Sequence, residues 1–163
     1  QSYGGSARVR GLELAYQQQF SNLPGFWKGF GIFANYTRLQ TEGDYGAIGA
    51  KAGPSELVGF VPKSGNIGVT YGGHPWTVRL QLNYTGSQLF RFNANTANRQ
   101  HEYSKRPVDL SIKYSINQRF SLYCDAINIF RSPIQRRFQY IPSREMGHDR
   151  YSPVIKAGVT GRF

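Results

Sequence analysis

Residues 76–86, WTVRLQLNYTG, alternate apolar and polar side chains almost without interruption. Trp76, Val78, Leu80, Leu82 and Tyr84 share one phase, and Thr77, Arg79, Gln81, Asn83 and Thr85 share the other. Side chains alternate faces along an extended chain, so this segment is a β-strand with one apolar and one polar face. A soluble barrel hides the apolar face inside, whereas a membrane barrel turns it outward to lipid, and the phase is identical in both. The same alternation recurs in Val108, Leu110, Ile112 and Tyr114 against Asp109, Ser111 and Lys113. It returns in Ile155, Ala157 and Val159 against Lys156, Gly158 and Thr160. Strands are predicted near 7–20, 30–41, 57–71, 76–86, 106–114, 119–130 and 151–163, and no segment shows a useful helical period.

The connections narrow the choice. Gly72-Gly73-His74-Pro75 and the segment near 115–118 are tight turns, and 21–29 is moderate and contains Pro24-Gly25. Between them lie long Gly-, Asn- and Arg-rich connections at 42–56, 87–105 and 131–150. Short and long alternate throughout, as in up-and-down membrane barrels with short periplasmic turns and long extracellular loops. No apolar run approaches the ~18–20 residues of a transmembrane helix, which excludes helical spans and leaves a barrel open. Aromatics make up 15% of the 163 residues and Gly supplies 19, a composition that leans to all-β structure.

Aromatic placement points the same way. Asn-Tyr-Thr occurs at 35–37 and 83–85, where strands approach long connections. Tyr71, Trp76, Tyr114 and Phe120 flank the tight turns at the other end. With Tyr36, Tyr84 and the terminal Phe163 they form two candidate interfacial girdles around an apolar band. Trp76 to Tyr84 spans about 26 Å of strand, or ~20 Å of height at a tilt of ~40°. Both Asn-Tyr-Thr sites match the glycosylation pattern, but girdle positions on strands account for them better.

These segments resemble the C-terminal part of a TonB-dependent outer-membrane receptor. The resemblance rests on ARVRGLELAYQQQF followed by LPG, FGIFANYTRLQTEG, VPKSGNIGVTY, WTVRLQLNYTG, RPVDLSIKYSINQRFSLYCDAINIF and VIKAGVTGRF, in that order from about Ala7 to Phe163. It implies an all-β, antiparallel, up-and-down transmembrane β-barrel segment, about seven strands of a barrel of about 22 strands with a plugged lumen. Residues 1–163 would then be the C-terminal part of the barrel domain, with the plug and earlier strands outside this chain. The implied partners are membrane lipid and lipopolysaccharide, the remainder of the barrel, an N-terminal plug, and TonB through the missing N-terminal part. The implied function is TonB-dependent uptake of a scarce ligand such as a ferric chelate, vitamin or oligosaccharide across a Gram-negative-type outer membrane. Lys156, Gly158 and Phe163 also resemble the last-strand assembly signal of such barrels, though Gly161 stands where a hydrophobic residue is expected.

The remaining chemistry is that of binding. His74, His101 and His148 are far apart, and no nucleophile accompanies His148-Asp149. Neither an enzyme nor a cofactor is expected. A metal site from His101, Glu102 and His148 would need two connections to meet and matches no standard spacing. GDYGAIGAKAG, residues 43–53, lacks the Gly-Lys-Ser/Thr ending of a phosphate loop. The single cysteine, Cys124, can form no internal disulfide.

The net charge of +11 is spread along the chain rather than gathered in a run, which argues against a nucleic-acid partner. In the membrane reading Arg8, Arg10, Glu13, Arg79, Gln81, Asn83, Asp109, Lys113, Asp125, Lys156 and Arg162 face the lumen. Arg8 and Arg10 share a phase with Leu12 and Leu14, so the first strand either starts above the lipid band or contains a bulge near Gly11. Ligand contact is expected from the long connections through Arg91, Arg99, His101, Arg136, Arg137, Tyr140, Arg144 and His148. Basic residues among aromatics suit an anionic or polar ligand, and equally a phosphate-rich lipopolysaccharide surface. A passive porin or structural barrel of the same architecture is the alternative, followed by a soluble basic β-barrel that binds nucleic acid or lipid.

Overall fold

The computed structural model describes residues 6–46, 56–138 and 145–162. The strands are β1 (Ala7–Gln19), β2 (Phe30–Gly43), β3 (Lys63–Gly73), β4 (Trp76–Thr85), β5 (Gln88–Arg91), β6 (Gln100–Glu102), β7 (Val108–Ser115), β8 (Phe120–Ile127), β9 (Ile134–Phe138), β10 (Glu145–Asp149) and β11 (Val154–Gly161). Seven of them form one sheet in the order β1-β2-β3-β4-β7-β8-β11, and the other four form a second sheet, β10-β9-β6-β5. All pairs are antiparallel. The large sheet is open, with β1 and β11 at its edges, as a segment of a larger barrel would be.

Register divides the large sheet into two chemically distinct faces. One row runs Thr70, Arg79, Ser111, Asp125, Lys156 across five strands, and the next runs Phe33, Gly68, Gln81, Asp109. The opposite face carries Tyr71, Val78, Ile112, Cys124 and Ala157, then Val69, Leu80, Leu110, Ala126 and Ile155. Leu12, Leu14, Ile67, Val69, Leu80, Leu82, Ile155 and Val159 on that face are exposed, and Leu89 is the one buried apolar side chain among the described residues. The sheet therefore has no apolar core of its own. Its hydrophobic surface faces outward, as on a lipid-embedded wall.

Local chemistry sets the strand limits and moves some of those expected from sequence. The third strand starts at Lys63 rather than near 57, because Gly59 turns the chain at φ 81° and Pro62 has no N–H to donate. The β8 strand stops at Ile127 rather than near 130. Asn128 takes φ 56°, and its Oδ1 accepts from Ser132 N at 2.8 Å. The last strand begins at Val154, just after Pro153, rather than at 151. The β1–β2 pairing runs without a shift from Ala7↔Gly43 to Gln19↔Gly31, so there is no bulge at Gly11. Arg8 and Arg10 consequently stay on the apolar face, above Leu12.

Gly68 lies opposite Phe33, and a Cβ there would sit 2.4 Å from the Phe33 ring and 2.6 Å from Leu80 O. The ring covers the bare glycine backbone and receives the Arg79 guanidinium at 4.2 Å. At the tight-turn end, a short 3-10 turn at Gly25–Gly29 places Phe26 4.7 Å from Tyr71 and 5.2 Å from Phe30. Phe26 and Trp27 extend the aromatic group that Tyr71, Trp76 and Tyr114 begin, with Trp76 and Tyr114 4.7 Å apart.

Leu80 and Gln81 are sequence neighbours on opposite faces, which gives a direct test. Leu80→Arg is expected to cost roughly 2–4 kcal/mol near a bilayer midplane, and Gln81→Arg little. The folded fraction in phospholipid vesicles, read by heat-modifiable gel migration, should fall for the first only. Equal tolerance would contradict an outward apolar face.

Candidate functional site

The three long connections converge at one end of the large sheet. Mutual Thr85–Lys105 backbone hydrogen bonds, each 3.0 Å, tie the base of the β5–β6 hairpin to β4. Tyr103 N donates to Gln135 O at 2.8 Å and leads into the β6–β9 ladder, where Gln100, His101 and Glu102 face Phe138, Arg137 and Arg136. Two connections far apart in sequence thus share one sheet. The first connection joins them through Gly59 N, which donates to Leu89 O at 3.1 Å, and through Tyr45, whose ring stacks on Phe92 at 3.8 Å.

Arginines lock this assembly by lying on aromatic rings. Arg99 is 4.9 Å from the Phe92 centroid, Arg136 4.4 Å from Phe90, and Arg137 5.2 Å from Tyr103. Arg99 is buried, and its Nε donates to Asn93 O at 3.1 Å. Glu102, also buried, lies 3.4 Å from Lys105 Nζ and 3.3 Å from Arg136 Nε, while Arg136 reaches Asp149 at 3.6 Å. This carboxylate bridges the two connections.

His101 is half-buried, with Nε2 3.9 Å from Glu56. Burial lowers its pKa below 6.5 and outweighs the pull of Glu56, with Arg99 adding to the lowering. At neutral pH the His101–Glu56 approach is therefore not an ion pair.

Below these connections the polar face of the large sheet carries a directed relay. Arg79 Nη2 donates to Gln81 Oε1 at 2.7 Å, Gln81 Nε2 donates to Asn83 Oδ1, and Asn83 Nδ2 donates to Asp109 Oδ2 at 2.7 Å. Asp109 Oδ1 accepts from Asn128 N at 2.8 Å, and Ser111 donates to Asp125. Two neutral amides thereby connect a cation to an anion, leaving most of these polar groups satisfied.

No curated protein matches the chain. Residues 1–129 match the family described as TonB dependent receptor-like, beta-barrel. The chain belongs to that family.

Its fold agrees. The structure is similar to the ferric citrate transporter FecA in its unliganded form, with a TM-score of 0.74 at 20% identity, over 96% of this chain and 24% of that one. The chain thus spans about a quarter of that transporter's length. Family and neighbour are receptors and transporters rather than enzymes.

Within this receptor barrel segment, Arg79, Gln81, Asn83, Asp109, Lys113 and Lys156 all fall on the polar face. Tyr36, Tyr71, Trp76, Tyr84, Tyr114 and Phe120 fall on the apolar one. Of the expected ligand contacts, Arg91, His101, Arg136, Arg137 and His148 come together in the second sheet, and Arg99 immediately precedes its strand β6. Tyr140 and Arg144, like Phe163 and residues 47–55, lie outside the described residues. The weighed metal set does not converge: His101 and Glu102 alternate faces on β6, and His148 is held by Gln135 and Arg150, each at 3.2 Å. Among the described residues no three metal-ligating side chains cluster.

Sequence reasoning missed Phe90, Phe92 and Tyr103 as partners of the arginines, and Tyr45 as the ring that stacks on Phe92. The available signal was QLFRF at 88–92, too short to fix a register.

Glu102→Gln is expected to weaken the β6–β9 pairing by about 1–3 kcal/mol, since Lys105 and Arg136 are each a third exposed. Hydrogen exchange at 100–102 and 136–138 should accelerate together. His101 adds a pH dependence. Its folded pKa is depressed, so the packing is complete above 6.5 and is lost as pH falls through the lowered value. Protection from exchange near 101, corrected for the intrinsic fall in rate with acidity, should therefore drop from about pH 7.5 to about pH 5, and His101→Gln should flatten that response.

Proposed function

We propose that this chain is the C-terminal barrel portion of a TonB-dependent receptor in the outer membrane of a Gram-negative-type bacterium. The complete receptor takes up a scarce ligand such as a ferric chelate, vitamin or oligosaccharide. The family match over residues 1–129 carries this reading. The arrangement of a polar strand face beneath a cation-rich sheet of loops supports it. The loops face outside and meet the ligand first; the relay of Arg79, Gln81, Asn83 and Asp109 lines the lumen. The rest of the barrel, an N-terminal plug and the segment that contacts TonB belong to the remainder of the receptor.

Arg91, exposed at the end of β5, is the best-placed cation for a free anionic ligand. Arg99, Arg136 and Arg137 hold the loop aromatics, so their first effect is on the shape of the binding surface. His148 lies in the same sheet on β10, and Tyr140 and Arg144 precede it in sequence.

Uptake of radiolabelled ferric chelates by cells expressing the full-length receptor tests the reading. Uptake is expected to vanish when TonB is deleted and to fall several-fold in Arg91→Ala. TonB-independent uptake would favour a passive porin. Recovery of the protein in the aqueous phase without detergent would remove both membrane readings.

A further inference from the structure

The polar face of the large sheet ends, at its tight turns, in three cations that the described residues leave without counter-charge. Lys113 lies on β7 opposite Tyr123. One row further out, Ser115, Ser121 and Thr160 stand side by side across three strands. Beyond them Arg162 N donates to Arg119 O at 2.8 Å, which carries the β8–β11 ladder one residue past Gly161↔Phe120. Arg119 and Arg162 are therefore directly opposed, in the phase of Ser121 and Thr160 and so on the polar face. Lys113 and this arginine row are about 13 Å apart along the strands, and their long stems let the charged heads meet over the hydroxyls between. The three cations and the hydroxyl row line one cavity of about 380 Å³.

No carboxylate lines that cavity. Among the described residues Lys113, Arg119 and Arg162 are exposed, take part in no ion pair and lie on no aromatic ring. Nearer the loops the same face is balanced: Lys156 is opposite Asp125, and Arg79 reaches Asp109 through two amides. Like charges directly opposite on neighbouring strands repel, so the Arg119–Arg162 pair weakens the last rung of β11 unless an anion lies between them. Guanidinium groups bind phosphate through paired N–H donors. Donors enter from β7, β8 and β11, and a tetrahedral oxyanion can turn an oxygen toward each, whereas one carboxylate offers two oxygens in a plane. A phosphate group carries close to two negative charges at about neutral pH, which offsets most of the local charge. Lipid phosphates approach from the apolar face, where Phe120 and Leu122 stand, so the fitting anion is a free one.

We propose that Lys113, Arg119 and Arg162 form a binding site for inorganic phosphate at the tight-turn mouth of the barrel lumen, and that the bound anion ties the end of β11 to β8. This rests on the membrane-barrel reading, with the polar face toward the lumen. It requires neither a particular transported ligand nor TonB.

The test uses the purified full-length receptor in a neutral detergent at low ionic strength, titrated with inorganic phosphate, acetate or dispersed phosphatidylglycerol. Binding is read by isothermal titration calorimetry and by hydrogen exchange at 120–122 and 159–161. Phosphate is expected to bind wild type and to slow exchange in both segments together. Acetate and phosphatidylglycerol should bind at least about ten-fold more weakly. The double variant Arg119→Gln, Arg162→Gln should lose at least about ten-fold in phosphate affinity. Without phosphate it should exchange no faster than wild type, because the opposed charges are gone. Arg38→Gln, on the other face at the loop end, should match wild type. Heat-modifiable migration checks that the double variant folds; should it not, Lys113→Gln is read in its place. No binding by wild type, undiminished binding by the variant, or equal binding of acetate or phosphatidylglycerol would overturn the proposal. Phosphate binding that persists in a receptor without TonB-dependent uptake would instead count against the transport reading alone.

Discussion

An antiparallel sheet with one apolar face must set that face against something, and the described residues supply no layer to cover it. Leu12, Leu14, Ile67, Leu80, Ile155 and Val159 stand exposed on a continuous surface, while the second sheet packs at the strand ends. Leaving such a surface in water is unfavourable by roughly 25 cal/mol per Å². The polar face cannot be the buried one, because it carries Arg79, Asp109, Asp125 and Lys156 in adjacent rows. An outward apolar wall around a wet interior satisfies both faces at once. The open edges at β1 and β11 then call for neighbouring strands, in keeping with a family barrel of which this chain forms a part.

The two ends of the wall solve different problems. At the tight-turn end, rings gather: Phe26, Phe30 and Tyr71 touch, and Trp76 meets Tyr114. Such rings combine an apolar body with, in Tyr and Trp, a polar tip suited to an interface. At the loop end the chain must build structure without lipid or a large core. It does so by extending the sheet's hydrogen bonding through Thr85–Lys105 and Tyr103–Gln135, then stacking arginines on aromatics. Because β6 pairs with β9, a disturbance in one connection is passed to the other through Glu102 and Arg136.

The long strands were legible because alternation over eight or more residues fixes both their phase and their pairing. Val108, Leu110 and Ile112 lie on the face that their spacing assigns, opposite Leu82, Leu80 and Val78. The second sheet was not legible. Its strands run for three to five residues, too few for a period. The β6–β9 partnership joins residues 34 to 38 positions apart through hydrogen bonds that composition does not encode. The ligand-contact candidates were found by residue type, but their packing on Phe90, Phe92 and Tyr103 depends on that hidden pairing. Strand ends failed for a related reason: Asn128 adopts a left-handed turn that an otherwise strand-like sequence continues through.

The distribution of charge separates three roles that a net charge of +11 conceals. Arg79 is connected through two amides to Asp109, so that part of the polar face is neutralised within the fold. The loop arginines are held by rings and by Glu102, and their positive charge shapes a surface. Arg8, Arg10, Arg38 and Lys63, beyond Tyr36, have neither an ion pair nor a ring contact among the described residues, yet they stand on the hydrophobic side. A random scatter of surface charge would place cations equally at both ends of that face. Here the tight-turn end of the same face carries Tyr71, Trp76, Tyr114 and Phe120 instead. The wall is therefore polarised along its strands, aromatic toward one boundary and cationic toward the other. A membrane whose two leaflets differ in headgroup charge would hold it in a single orientation.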